Sequence, residues 1–124
     1  MNHKILIADD DINLLTSLSI RLEAAGYEVC AVQDSYHALA QARNFQPDVL
    51  ILDINMPAGN GFTVQDRLAH LNPVGHIPVI YLTGERSERV ANLARVKHAF
   101  KLLYKPVETA DLLAVIEDAI SARH

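Results

Sequence analysis

The chain has 124 residues, half of them apolar, which suits one compact domain expected to span 1–124. Its formal charge of −4, with acids and bases interspersed, excludes the clustered basic face of a direct nucleic-acid binder. The single cysteine, Cys30, excludes an internal disulfide, and no apolar run approaches the roughly 18 residues of a membrane span.

The first apolar run, Ile5–Ala8, is too short for a signal peptide, so a cytoplasmic protein with no membrane partner is expected. The run does not alternate and reads as a strand buried on both faces. Ile12, Leu15, Leu18 and Leu22 then recur at helical spacing. They predict a helix over Ile12–Ala25, with Asp11 as N-cap and Gly26 as stop. Tyr27–Val32 reads as a more polar strand at a sheet edge, with Cys30 a reduced, buried small residue within it. Ser35–Asn44 reads as a second helix with Leu39 and Ala42 inward. Pro47 breaks the chain, and a third strand runs from Asp48 through Leu52 to Asp53. A loop rich in Pro and Gly follows, then a helix over Phe62–Leu71.

Ile77–Leu82 is the fourth strand and Glu85–Lys97 the fourth helix, whose Arg86, Glu88, Arg89, Asn92 and Arg95 mark a solvated side. Ala99–Tyr104 is the fifth strand, and Lys101 within it protects an edge from pairing with other chains. Pro106 introduces the last helix, from about Val107 to Ser121. That helix carries an apolar band (Leu112, Leu113, Val115, Ile116, Ala119 and Ile120) wider than one sheet contact needs, read first as a broad buried stripe and second as a face for a dimer mate or target.

Five strand–helix repeats imply an α/β fold: a parallel sheet with right-handed crossovers and helices on both faces, a three-layer sandwich. A strand order of 2-1-3-4-5 would bring Asp9 and Asp10, Asp53, Thr83 and Lys105 to one rim, leaving Gln33 and Asp34 at the far edge. Ligands in open α/β sheets bind at such a rim. Three converging carboxylates repel one another unless a cation sits among them, most simply a hard divalent ion. An aspartate can act as nucleophile toward phosphorus, and phosphoryl transfer depends mainly on positioning and charge compensation. Each residue taken alone has a plainer reading. Asp11 is a helix cap, Thr83 could cap the following helix, Lys105 could be solvated, and Asp53 could solvate its loop. The joint placement, each residue at its own strand end, favours a phosphoryl site.

With these residues in view, the chain resembles the receiver domain of two-component response regulators, from Lys4 to about Ala122. The matching segments are Lys4–Asp11, Asp48–Asp53 with Met56, Pro57 and Gly61 behind it, Pro78–Gly84, and Lys105–Pro106. The resemblance implies a flavodoxin-like (βα)5 fold and Asp53 as phosphoacceptor. It implies Mg²⁺ held by Asp9, Asp10, Asp53 and the backbone carbonyl of Asn55. Thr83 and Lys105 would respond to the phosphoryl group. The donor would be a phosphohistidine on a sensor histidine kinase or phosphotransfer protein. Phosphorylation would switch the face formed by the fourth helix, fifth strand and fifth helix. That face would serve a downstream target, an output domain or a homodimer mate. Such a protein assists its own phosphorylation and dephosphorylation and is not a turnover enzyme.

Two positions depart from the family pattern. Leu102 stands where many receivers carry Tyr or Phe as a switch residue, and His98 stands where Gly is common before Ala99. Asn55 and Glu85 occupy the positions that tune hydrolysis of the phosphoryl group, and both are polar, which implies a short-lived phospho-form. Leu102 leaves open a degenerate receiver that binds partners without phosphorylation. A small aspartyl-phosphate hydrolase is a weaker fit, because its Asp-x-Asp-x-Thr signature follows the first strand.

Overall fold

The computed structural model describes residues 2–56, 64, 66–67 and 77–123. The elements in chain order are β1 (Lys4–Ala8), α1 (Ile12–Ala24), β2 (Glu28–Val32), α2 (Ser35–Phe45), β3 (Val49–Asp53), β4 (Val79–Thr83), α3 (Glu88–Val96), β5 (Lys101–Tyr104) and α4 (Thr109–Arg123). The expected loop over Pro57–Gly61 lies outside the described residues. So does the helix over Phe62–Leu71, except for helical positions Val64, Asp66 and Arg67.

Every strand pairs in parallel, in the order β2-β1-β3-β4-β5. Alternation along the strands sends successive side chains to opposite faces. Leu6, Leu50, Leu52 and Tyr81 therefore enter one core layer with Ala38, Ala42, Val90 and Ala94 of α2 and α3. Ile5, Ile7, Val49, Ile51, Ile80 and Leu82 enter the other, against Leu15, Leu18 and Leu22 of α1 and Leu112, Ile116 and Ala119 of α4. Both faces of β1, β3 and β4 are covered, which is why these strands read as unbroken apolar runs. The three-layer sandwich expected from the repeats is the one observed.

Local signals set the helix ends. Asp11 accepts from the N–H groups of Asn13 and Leu14, as expected of an N-cap. Asp34 caps α2 through His37 N–H at 2.8 Å, and Ser87 caps α3 through Val90 N–H at 3.2 Å. At the end of α1, Tyr27 N–H donates to Leu22 C=O and Gly26 N–H to Glu23 C=O, with Gly26 at φ +98°. The end of α3 repeats this arrangement: Ala99 N–H to Ala94 C=O and His98 N–H to Arg95 C=O, with His98 at φ +58°. Both are Schellman caps, and only the first has the glycine the left-handed residue prefers.

Two expectations are corrected. Ile12 does not join the inward stripe of α1 but is 57% exposed, because the helix starts at the rim where the sheet ends. Cys30 is half-buried rather than buried, since β2 is an edge strand, and burial pushes its thiol pKa up. The apolar band of α4 is the broad buried stripe: Leu112, Ile116, Ala119 and Ile120 are buried, with Leu113 and Val115 packed against them.

Candidate phosphoryl-transfer site

The C-terminal ends of β1, β3, β4 and β5 meet at one rim, and the adjacency β1-β3-β4-β5 makes the meeting obligatory. Asp9 continues β1 by donating its N–H to Val32 C=O at 3.1 Å. Its carboxylate is wholly buried, and Oδ1 accepts from Asp11 N–H at 2.9 Å. Asp53 closes β3, 4% exposed, and Oδ1 accepts a long bond from Asn55 N–H at 3.4 Å. Asp10 is exposed beside them. One carboxylate oxygen from each of Asp9, Asp10 and Asp53 lies within 4.8 Å of the others.

Lys105 reaches this cluster from the end of β5, just before the cis peptide bond to Pro106. Its Nζ is 2.8 Å from Asp9 Oδ2 and 3.5 Å from Asp53 Oδ1. The tighter ion pair is therefore with Asp9 rather than with Asp53. Thr83, fully buried at the end of β4, accepts Glu85 N–H at Oγ1, 2.9 Å away. It does not cap α3. Ser87 does that, a residue legible as a cap from its place just before Glu88.

Burial is the largest influence on Asp53, and the charge of Asp9 adds to it; Lys105 opposes them. The result lifts the Asp53 carboxyl to about 6. For Lys105, burial pulls the ammonium pKa down, but the hydrogen bond to Asp9 and the charges of Asp53 and Asp9 outweigh it, so the net shift is upward. The site therefore holds excess negative charge that one ammonium does not balance.

The remaining sequence candidates are Asn55, Glu85 and Leu102. Asn55 follows the site directly. Glu85 faces its own helix: Ser87 Oγ donates to Oε2 at 2.7 Å and Arg89 Nη2 lies at 3.2 Å, and the Ser87 bond is the main cause of its lowered pKa. Leu102 packs against the core layer that contains Tyr81, its register partner on β4. The same register pairs Thr83 with Tyr104, whose ring lies 4.5 Å under the Arg86 guanidinium. That contact was not anticipated from sequence, and no local signal announces it.

Residues 5–117 match the family model of the response regulator receiver domain, and the chain belongs to that family, the receiver domains of two-component signalling. The chain is 36% identical over 113 residues to the DNA-binding dual master transcriptional regulator RpaA of Synechocystis. That match covers 90% of this chain and 46% of RpaA. It is 34% identical over 122 residues to the transcriptional regulatory protein PrrA of Mycobacterium tuberculosis, covering 97% of this chain and 51% of PrrA. The chain thus spans about half the length of these curated relatives. Among solved structures, the CheY-like receiver domain protein of Methanospirillum hungatei superposes with a TM-score of 0.91 at 29% identity, covering 98% of this chain and 96% of that one. A receiver domain protein of Clostridium thermocellum gives 0.89 at 33% identity, with the same coverage. Among the described residues no helix is long and apolar enough to cross a membrane.

Proposed function

We propose that 1–124 is a single receiver domain in which Asp53 accepts a phosphoryl group from the phosphohistidine of a sensor histidine kinase or phosphotransfer protein. The observation that carries this reading is the buried Asp53 carboxylate with Lys105, Asp9 and Asp10 gathered around it and Thr83 at the end of the neighbouring strand β4. An Asp53 carboxylate oxygen attacks phosphorus. The P–O bond forms as the P–N bond to histidine breaks, and the imidazole nitrogen keeps the electron pair and is reprotonated from solvent.

Hard oxygen donors with excess negative charge fit Mg²⁺. Asp9, Asp10, Asp53 and the Asn55 carbonyl would hold the ion, and when bound it supplies positive charge against the phosphoryl oxygens. Lys105, already within 3.5 Å of Asp53, pairs with a phosphoryl oxygen after transfer. The Thr83 hydroxyl accepts from Glu85 N–H and still has a proton to donate. Asn55 sets the lifetime by orienting water, and Glu85 joins it when its carboxylate leaves Ser87 and Arg89. Replacing both with bulky apolar residues prolongs the phospho-form. The domain holds one phosphoryl group rather than turning over a substrate. It acts in the cytoplasm, where the α3–β5–α4 face engages a downstream target, an output domain or a second copy.

The test is intact mass after incubation with acetyl phosphate, with and without Mg²⁺. A gain of one phosphoryl group that requires Mg²⁺ and disappears in Asp53→Asn is expected. No gain in a folded protein, repeated with a kinase donor, would favour the second reading, a binding module that works without phosphorylation. Leu102, an apolar residue at the switch position, is the feature that favours it.

A further inference from the structure

Leu102 is apolar and seated against the core, so it offers no aromatic ring that could swing between two settings. The described residues around Thr83 contain another connection to the surface. Lys105 N–H donates to Thr83 C=O at 2.8 Å, and Tyr104 is the Cα partner of Thr83 across the β4–β5 ladder. The Thr83 hydroxyl braces Glu85 N–H, and the next residue is Arg86. Arg86 is exposed and has no ion-pair partner among the described residues; its guanidinium sits 4.5 Å from the Tyr104 ring centroid. The loop that leaves Thr83 is thus closed onto the residue beside Thr83 by a cation–π contact. Ala91, Ala94, Leu102 and Tyr104 line a groove of about 370 Å³ next to that contact.

We propose that the Arg86–Tyr104 stack is the latch through which this domain couples Asp53 to its α3–β5 surface, in place of an aromatic at position 102. The proposal rests on the phosphoacceptor reading of Asp53. If Thr83 turns to donate to a phosphoryl oxygen, the Glu85 N–H loses its acceptor and residues 84–86 shift. The stack then breaks, and Tyr104 is freed at the mouth of the groove. An exposed cation–π contact is worth a factor of roughly two to five in an equilibrium constant. Coupling is reciprocal: a contact that favours the resting surface weakens binding of the phosphoryl group at the other end by the same factor.

The experiment measures Mg²⁺-dependent binding of beryllofluoride, a phosphoryl mimic, by calorimetry. The proteins compared are the wild type, Arg86→Gln, Tyr104→Leu, the double variant and the ring-preserving Tyr104→Phe. Arg86→Gln and Tyr104→Leu should each tighten binding roughly two- to five-fold. The double variant should gain no more than either alone, and Tyr104→Phe should match the wild type. Unchanged or weaker binding in both single variants would overturn the latch, as would gains that multiply in the double variant. A folded wild type that fails to bind beryllofluoride would instead defeat the phosphoacceptor reading and the latch with it.

Discussion

Asp53 is a buried carboxylate beside a second one, and its titration shows the cost. Its carboxyl sits at about 6 against an ordinary 3.8, chiefly through burial. The folded state thus holds this proton more tightly than the unfolded chain. That stabilising contribution is complete below about 4 and is lost as pH rises through about 6. The difference corresponds to at most about 3 kcal/mol. Asp53→Asn, which removes the titrating charge, should therefore raise stability at pH 8 without divalent cation by up to that amount, and change it little near pH 4. Urea denaturation at the two pH values measures the difference; an equal effect at both would disprove the electrostatic origin. The identities at this site were legible in the sequence, because each polar residue interrupts an apolar run. The strength of the strain was not, because it depends on how deeply Asp53 is buried and how near Asp9 lies.

Helix ends offer a matched comparison within one chain. α1 and α3 close with the same pair of backbone bonds, but Gly26 takes the left-handed position in one and His98 in the other. A side chain in that conformation costs roughly 1–2 kcal/mol, partly offset in glycine by its greater freedom when unfolded. His98→Gly should therefore stabilise the domain by about 0.5–1 kcal/mol, read as a higher urea midpoint at unchanged slope. His98 stands where glycine is common in the family, and the turn into β5 forms with it in place, because the Ala99–Ala94 bond and the start of β5 hold the turn from both sides. The first turn of α1 shows the reverse failure. Ile12 matched the helical period, but periodicity carries no information about where the sheet beneath it ends.

For the molecule as a whole, a cation that binds only the folded state adds stability by mass action, about 2.7 kcal/mol at a hundred times its Kd. Mg²⁺ should therefore raise Tm by several degrees at pH 8. The rise should shrink at pH 5, where Asp53 carries a proton that competes with the ion. Asp53→Asn should reduce the rise at pH 8. Thermal melts across a Mg²⁺ series measure all three effects. Equal shifts at both pH values would place the ion away from Asp53. The sheet order makes this coupling global, since the cluster ties together β1 and β3 and, through Lys105, β5.

The sequence by itself determined the parallel sheet, the three layers, the caps at Asp11 and Gly26, and the rim on which Asp9, Asp10, Asp53, Thr83 and Lys105 meet. These follow from hydrophobic period, breaker residues and the geometry of strand–helix repeats, which act over short stretches of chain. Only the tertiary structure decided that Lys105 pairs more closely with Asp9 than with Asp53, that Ser87 and Arg89 hold Glu85, and that Arg86 lies over Tyr104. Pattern can assign a residue to a rim or a face. Which carboxylate oxygen lies 2.8 Å from an ammonium, or which ring lies beneath a guanidinium, depends on register and rotamer between elements distant in the chain.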